Sequence, residues 1–330
     1  MSEVADPFGE HERARLRTRV SVLGGDFFVE TSDTALLDLA TEAFGGLPKH
    51  RLERHAHRFI VRLVRSNHAQ TWPRDAPPPR PVLAAGAGLL CATVDAGNFA
   101  VVDATMSRAL VSVSRAMLRQ RYHARYELVE LAFLTLAARA QSLVPLHAAC
   151  VGAKGKGVLL MGASGAGKST LTLHALANGM QLLSEDSAFV AVEDMLVTGV
   201  PSYLHLAPQA LRFLQSKELR LAIARSPTIE RRSGVRKLEV DLRALGGRVA
   251  RVPLRLAATV FLSPRAAGRQ PALRALERGA LLRRLRREQP YACAHSGWRA
   301  FERRIAKVPA YELRRTEHPD TAVRLLRALL

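Results

Sequence analysis

Hydrophobic and polar positions change period along the chain, and these changes predict an alternation of strands and helices. Residues 58–66, RFIVRLVRS, alternate between apolar and polar side chains, which is typical of a half-buried strand. Residues 32–46 instead repeat apolar side chains at helical spacing, between a Ser-Asp cap and a Gly-Gly stop. The proline-rich stretch 71–88 interrupts both periods and predicts an exposed loop.

The next stretch predicts a hairpin followed by two helices. Residues 88–104 contain two apolar runs on either side of a DAGN turn, a pattern that favours paired antiparallel strands. Apolar periodicity then predicts helices near 106–120 and 126–142, and Pro145 is expected to end the second one. These elements predict a smaller N-terminal α+β domain over residues 1–142, with a role in substrate recognition or assembly.

Residues 143–330 are predicted to form an α/β domain that binds a nucleotide. The segment GASGAGKS at 162–169 matches the Walker A pattern, with VLLM before it as a strand and STLTLHALANG after it as a helix. Backbone N–H groups of such a loop, together with the helix N-terminus, attract phosphate. The expected phosphate-binding residues are Gly162, Ala163, Ser164, Gly165, Ala166, Gly167, Lys168, Ser169 and Thr170.

A second hairpin is predicted immediately before the Walker A segment, which we call the P-loop. Two apolar runs are joined by a glycine-lysine turn, so Val151 should lie opposite about Val158. Extending this register places His147 opposite about Gly162. A histidine is therefore expected at the mouth of the P-loop.

Two carboxylate pairs follow the P-loop helix, and a phosphate site with Mg²⁺ needs a carboxylate nearby. Glu185 and Asp186 follow the short apolar run QLLS, while Glu193 and Asp194 follow AFVAV. Composition alone leaves both pairs open.

The charge balance is strongly basic, with 49 Lys and Arg against 29 Asp and Glu and a formal net charge of +20. The basic residues are dense in the last third, where arginines alternate with Leu and Ala at helical spacing, which favours solvated helix faces. A functional use would be an acidic partner or nucleic acid. Aromatic residues make up only 5% and no helix-turn-helix pattern is found, so nucleic acid is not the expected partner.

The cellular location and the state of the cysteines are predicted from features that are not found in the sequence. It shows no apolar secretory signal and no run long enough to span a bilayer, so a cytoplasmic protein without membrane contact is expected. Cys91, Cys150 and Cys293 are far apart, which disfavours a metal site or disulfide framework.

The residues from about 145 to 195, which include LHAACVGAKGKGVLLMGASGAGKST, resemble the catalytic core of the HPr kinase/phosphorylase family. That family has a histidine on the strand before the P-loop strand and a short acidic segment after the P-loop helix. The resemblance implies an α/β, phosphoenolpyruvate carboxykinase-like P-loop core with a mixed sheet. Family members transfer the ATP γ-phosphate to a serine of a small phosphocarrier protein, and one group of relatives modifies lasso-peptide precursors.

The resemblance also implies roles for individual residues. Lys168 and Ser169 would hold phosphate and Mg²⁺. Asp186 would accept the proton of the attacking serine, and it would share the metal with Ser169 and Glu185. His147 matches the family histidine beside the reacting phosphate.

Other positions extend the resemblance or depart from it. Within the basic segment RRSGVRK, Arg236 and Lys237 are expected to contact phosphate or substrate. Thr170 stands where the phosphocarrier kinases usually have glutamate. The family's later glycine- and glutamate-containing signature is not found, and residues 197–208 in that region offer His205 as a polar group. The resemblance therefore gives no support to the reverse, phosphorylase reaction.

These features together predict an ATP- and Mg²⁺-dependent serine kinase of an acidic peptide or protein, such as a ribosomally made precursor peptide. The phosphocarrier protein is not the expected substrate, because residues 1–142 do not resemble the N-terminal part of its kinases. The resemblance also implies a homo-oligomer. Two alternatives stay open: a kinase of a small hydroxyl compound, and a basic P-loop ATPase that binds nucleic acid.

Overall fold

The computed structural model describes residues 15–52, 56–73, 76–246 and 248–330. Its contacts divide the chain into two compact units. The first takes the described residues within Met1–Val20, Asp26–Gly45 and His57–Ala140, and the second takes those within Ser21–Gly25, Gly46–Ala56 and Gln141–Leu330. The longest segment of the second unit starts at Gln141, and two short segments from within residues 1–142 also belong to this unit.

A seven-stranded sheet makes up most of the first unit. Its strands are β1 Leu16–Val22, β2 Gly25–Thr31, β3 Arg58–Ser66, β4 Val82–Gly86, β5 Leu89–Asp95, β6 Asn98–Asp103 and β7 Arg108–Ser114, in the order β1-β2-β3-β7-β6-β5-β4. Strands β2, β3 and β7 are parallel, and β7, β6, β5 and β4 are antiparallel. The helices are α1 Thr34–Phe44, α2 Arg115–Arg119, α3 Arg121–His123 and α4 Leu131–Ala140, with a π-helix at Ala124–Glu130.

An aromatic cluster forms the core of this unit, where α1 and α4 pack on the sheet. The ring of Phe133 on α4 lies 4.8 Å from Phe27 on β2 and 4.8 Å from Phe44 on α1. All three side chains are almost fully buried. Burial of such large apolar surfaces is the main stabilising contribution in a core of this kind.

Several predicted elements are confirmed in the first unit. Residues 58–66 form β3, and residues 88–104 form the β5–β6 hairpin. Helix α1 begins after Asp33, whose side chain accepts hydrogen bonds from the backbone N–H groups of Ala35 and Leu36. This is the capping that short polar residues provide at a helix N-terminus.

Three expectations in this unit are wrong in part. Residues 108–114 form β7 instead of a helix, because Val111 and Val113 lie buried in the sheet between β3 and β6. The predicted loop 71–88 contains the edge strand β4. The second predicted helix begins as the π-helix and ends at Ala140, well before Pro145.

The second unit contains twelve strands and six α-helices among its described residues. The strands are β8 Val144–Leu146, β9 Ala149–Ala153, β10 Lys156–Met161, β11 Gln181–Ser184, β12 Ala188–Ala191, β13 Leu196–Gly199, β14 Tyr203–Leu206, β15 Thr228–Glu230, β16 Arg236–Asp241, β17 Leu254–Ala266, β18 Leu273–Ala275 and β19 Ala310–Arg315. The helices are α5 Lys168–Ala177, α6 Lys217–Ala224, α7 Arg278–Glu288, α8 Pro290–Cys293, α9 Trp298–Ile305 and α10 Pro319–Arg327, with a 3₁₀-helix at Pro208–Phe213.

Nine strands form one mixed sheet in the order β11-β9-β10-β17-β13-β12-β8, with β19 beside β17 and β18 beside β19. Strand β10 is parallel to β17, and β17 is parallel to β19. Since β9 is antiparallel to both β10 and β11, strands β11, β10, β17 and β19 all end at the same edge of the sheet. Strands β14, β16 and β15 form a separate small sheet.

Both faces of the nine-stranded sheet are buried. Val158 and Leu160 of β10 belong to the core on the α5 and α10 face, while Leu159 and Met161 belong to the core on the α7 and α9 face. This alternation follows from the period of two along a strand. The mixed α/β class predicted from the sequence is confirmed.

Two further expectations concern the described part of the chain. No helix there has the length and apolar character needed to cross a membrane. Cys91, Cys150 and Cys293 are free thiols.

Candidate active site

The P-loop connects β10 to α5, as the sequence predicts. Gly165 and Gly167 have φ angles of 83° and 96°, in the left-handed region that glycine occupies without strain. An added Cβ at either position would meet nothing within 4 Å, so the backbone conformation and not crowding favours glycine. The first turn of α5 follows directly, and its free N–H groups make an electropositive end.

Lys168 lies inside this loop. Its Nζ donates a hydrogen bond to the carbonyl oxygen of Gly162 at 2.6 Å and lies 3.3 Å from Nε2 of His147. Burial lowers the pKa of Lys168, and the nearby carboxylates of Asp186 and Glu185 oppose part of that shift. The lysine is therefore held at the loop next to the predicted histidine.

Ser169 is joined to the first acidic residue after β11. Its hydroxyl donates a hydrogen bond to Oε1 of Glu185 at 2.6 Å. Glu185 is buried, and burial alone would raise its pKa, but hydrogen bonds from His205 and Ser169 outweigh this effect and lower it. Glu185 is thus held as a carboxylate at the first turn of α5.

His205 contacts the other oxygen atom of Glu185 and links it to a second carboxyl group. Its Nδ1 lies 3.3 Å from Oε2 of Glu185, and its Nε2 lies 3.1 Å from Oε1 of Glu239. His205 on β14 and Glu239 on β16 are direct partners across the small sheet. All three residues are buried. We call Glu185, His205 and Glu239 the buried triad.

Asp186 lies on the other side of His147 from Lys168. Its Oδ1 is 3.3 Å from Nδ1 of His147, so one imidazole ring joins the P-loop lysine to this carboxylate. Nη1 of Arg231 lies 4.0 Å from Oδ2 of Asp186. Asp186 is only partly buried, which leaves it open to a second reactant.

The predicted hairpin register is confirmed, but the strand pairing stops before it reaches His147. Val151 pairs with Val158, and the ladder ends at Ala149 opposite Leu160. His147 itself lies between β8 and β9, outside both strands. Its backbone N–H donates to Oε1 of Gln289 at 2.8 Å, and Nε2 of Gln289 donates to its carbonyl oxygen at 3.1 Å. One glutamine side chain therefore satisfies both backbone groups of His147.

The structure places the alternative carboxylate pair, Glu193 and Asp194, away from the P-loop. Glu193 and Asp194 lie exposed in the turn after β12, whereas Asp186 lies just before that strand. The two pairs therefore lie near opposite ends of β12. Glu185 and Asp186 are the pair that the structure brings to the P-loop.

The basic segment is brought to the site through different residues from those expected. Arg236 is 77% exposed at its side chain and pairs with Glu230. Lys237 lies on the other face of β16, where burial and Arg231 lower its pKa while Glu185 and Asp186 act in the opposite direction. Neighbouring residues of a strand face opposite sides, so Arg236 and Lys237 could not both reach one site. Arg231, and not Arg236, is the second basic residue of this segment that lies near Asp186.

Four residues of this site were missed by sequence reasoning: Arg231, Glu239, Gln289 and Tyr291. The hydroxyl of Tyr291 donates to Oε1 of Gln289 at 3.0 Å. No motif marks any of the four, because each is brought in by tertiary pairing. Two local signals were available: Arg231 belongs to the basic segment RRSGVRK, and the period of two along β16 links Glu239 to Lys237.

Comparison with models of protein families finds no match for this chain. No curated protein matches it either. Among solved structures, the HPr(Ser) kinase/phosphatase from Coxiella burnetii is similar over 56% of this chain and 92% of that chain, with 13% sequence identity and a TM-score of 0.30. A TM-score of this size does not establish a shared fold, so the site geometry has to carry any functional conclusion.

Proposed function

We propose that this protein is an ATP- and Mg²⁺-dependent kinase that transfers the γ-phosphate to a serine hydroxyl of an acidic peptide or protein. The observation that carries the proposal is the line Lys168–His147–Asp186 beside the P-loop, with 3.3 Å at each step. Phosphoryl transfer to a hydroxyl needs a cation at the phosphate and a base at the acceptor, both within reach of one phosphorus atom.

The residues at the first turn of α5 suit Mg²⁺. This ion prefers oxygen ligands and usually takes one or two carboxylates together with substrate phosphates. The hydroxyl of Ser169 and the carboxylate of Glu185 provide such oxygens 2.6 Å apart, with Asp186 as the next residue. Among the residues described, no group of three or more His, Cys, Asp or Glu side chains forms a metal site by itself. When bound, Mg²⁺ would neutralise charge on the outer phosphates.

In the proposed reaction, the serine hydroxyl gives its proton to Asp186 as its oxygen bonds to the γ-phosphorus. The bond between that phosphorus and the bridging oxygen of ADP breaks. Lys168 and the P-loop N–H groups stabilise the negative charge that spreads over the transferred group. His147 orients Asp186 and contacts the acceptor or the transferred phosphate, and Arg231 adds positive charge on the acceptor side.

An acidic acceptor is proposed because the surroundings of Asp186 are positive. The chain carries a net charge of +20, and Arg231 and Lys237 both interact electrostatically with Asp186. Carboxylates next to the target serine would be attracted to these groups. The phosphocarrier protein is not proposed as the substrate. The carboxykinase-like arrangement, a homo-oligomer and a cytoplasmic location stay predictions.

The test follows label from [γ-³²P]ATP with Mg²⁺ in a lysate of the source cells. We expect Asp186→Asn to lower the transfer rate by on the order of 10²–10⁴ while ATP still binds, because the general base is lost. Lys168→Ala should nearly abolish transfer. Asp194→Asn is the matched control, since this exposed carboxylate lies near the far end of β12 and should leave the rate unchanged.

The destination of the label separates the alternatives. Label in a protein or peptide with wild type, but not with Asp186→Asn, supports the serine kinase, and mass spectrometry then identifies the modified residue. Label in a small metabolite would favour a small-molecule kinase. Label released only as free phosphate, at equal rates in both proteins, would contradict the proposal and favour an ATPase.

A further inference from the structure

A cleft of about 1020 Å³ opens along one side of the P-loop. It is lined on that side by Gly165, Gly167 and Thr170. Among the described residues that line it, none belongs to the group formed by His147, Asp186 and the buried triad. The P-loop therefore has the reacting side chains on one side and this cleft on the other.

The order of the strands explains this arrangement. Along the shared edge, β11 ends just before Glu185, β10 ends at the P-loop, and β17 and β19 follow on the far side. The cleft is lined by the ends of those last two strands, including Leu262 and Leu313. In sheets with parallel strands, ligands bind outside the carboxyl ends of the strands, which is where this cleft lies.

The walls combine apolar surface with hydrogen-bonding groups. Leu171, Leu262 and Phe213 contribute apolar side chains, and the guanidinium carbon of Arg212 lies 4.5 Å from the centre of the Phe213 ring. Gln209 and Thr316 add polar groups. Such a mixture suits a ligand with a flat aromatic part and several hydroxyls, and the volume is typical of small-molecule sites.

We propose that this cleft binds the nucleoside part of a nucleoside triphosphate, with the base and ribose outside the ends of β17 and β19. The phosphates then cross the P-loop, and the terminal one faces Lys168 and Asp186. This inference rests on the proposed use of a nucleotide. It adds the direction in which the nucleotide lies and the surface that holds its base. The acceptor is left with the opposite side of the P-loop.

The test compares the affinities of two probes, ATP and inorganic tripolyphosphate, each with Mg²⁺, by calorimetry. Tripolyphosphate has the phosphates without the nucleoside, so it reports on the P-loop alone. Ala266→Trp and Ala272→Trp place a bulky ring in the cleft at positions that are not fully buried. Leu221→Trp, at an exposed position on α6 outside the cleft lining, is the matched control.

We expect both cleft variants to weaken ATP binding about tenfold or more, the loss expected when contacts to one base are removed, and to leave tripolyphosphate binding unchanged. Leu221→Trp should change neither affinity. The assignment is overturned if both cleft variants bind ATP like wild type, as they would if the cleft held the acceptor peptide. It is also overturned if wild type binds ATP no tighter than tripolyphosphate.

The two proposals can fail separately. Binding that follows the expected pattern in a protein that transfers no phosphate would contradict the kinase and leave the cleft assignment standing. If transfer depends on Asp186 but neither cleft variant changes the affinity for ATP, the kinase proposal stands and the cleft assignment is contradicted. A wild-type protein that binds neither probe would contradict both.

Discussion

Glu185 is held at both of its oxygen atoms, which fixes the orientation of a buried carboxylate. One oxygen accepts from the hydroxyl of Ser169, and the other faces His205, whose second nitrogen faces Glu239. Burial alone would lower the pKa of His205, but its hydrogen bonds to the two carboxylates outweigh this and raise it. Folding therefore favours the protonated form of His205, whose two ring nitrogens face the carboxyl groups of Glu185 and Glu239.

A prediction at this scale concerns the pH dependence of stability. The pKa of His205 is raised above 6.5 by folding, so its stabilising contribution is fully present below about pH 6.5 and is lost as pH rises through the folded-state value. We expect wild type to exceed His205→Gln in unfolding free energy by about 1.5–3 kcal/mol near pH 6, the usual range for hydrogen bonds to charged groups. Urea unfolding of both proteins across the pH range measures this difference.

The difference should narrow at higher pH. A difference that widens as pH rises, or that does not depend on pH, would contradict a protonated His205. Comparing the two proteins at each pH removes the titration of groups that they share.

Site residues that lie close together along the chain could be predicted from the sequence. Lys168 and Ser169 follow from the Walker A spacing, because one short segment makes both the loop and the first helical turn that are proposed to hold phosphate. His147 could be placed because a hairpin turn fixes its register. Arg231 and Gln289 could not, since each reaches the site through contacts between residues far apart in sequence. Composition also left Asp186 and Asp194 equal until the position of β12 separated them.

The β9–β10 hairpin is the element that delivers both His147 and the P-loop. Its strands approach closely at Gly152, where an added Cβ would lie 2.2 Å from the carbonyl oxygen of Lys156 and 2.6 Å from a methyl carbon of Leu254. Neither neighbour is free to move, because one is backbone and the other is buried. The close pairing of the hairpin strands therefore requires glycine at position 152, because any Cβ there would collide with its neighbours.

We predict that Gly152→Ala destabilises the second unit by about 1–3 kcal/mol or more, the usual cost of overpacking. Gly279→Ala is the control in the same unit, because the added methyl meets only the flexible end of Arg283 on helix α7. Alanine in a helix should be neutral or stabilising by up to about 1 kcal/mol. Urea unfolding of the two variants gives the comparison, and equal stabilities would contradict the close approach.

Element predictions succeeded where local pattern and tertiary environment agree. Residues 58–66 alternate and lie in a sheet with one face packed against helices, so β3 has the predicted bounds. Residues 108–114 were expected to be helical, yet their valines fill the gap between β3 and β6. Periodicity within a short apolar run does not separate a buried strand from a buried helix, and neighbouring strands decide the outcome.

At the scale of the whole molecule, some of the many basic residues form ion pairs within the fold. Arg284 pairs with Glu288 and Glu312, each at 2.9 Å, and Arg286 pairs with Glu302 at 2.6 Å. Arg286 is exposed on the outer face of α7, whereas Arg284 is mostly buried and its guanidinium lies over the ring of Phe261. The net charge of +20 nevertheless gives the molecule a positive field, which raises the rate of encounter with anions.

The corresponding prediction is a salt-dependent rate of transfer. Raising ionic strength from about 0.05 M to about 0.3 M should lower kcat/KM for an acidic serine peptide several-fold, because ions screen the attraction. A neutral peptide with the same serine should change much less. Steady-state kinetics on the two peptides measures the effect, and equal salt dependence would contradict steering by charge.

The strand order also has a consequence for how the molecule is made. Strand β10 and its P-loop leave the ribosome long before β17 and β19, which flank it on the cleft side, and before Gln289, which holds the backbone of His147. Contacts between residues so far apart in sequence carry a cost of loop closure and slow folding. During synthesis the P-loop therefore has β9, α5 and β11 beside it before β17 is made. The proposed nucleotide site is therefore expected to be complete only after β17, β19 and Gln289 have been made.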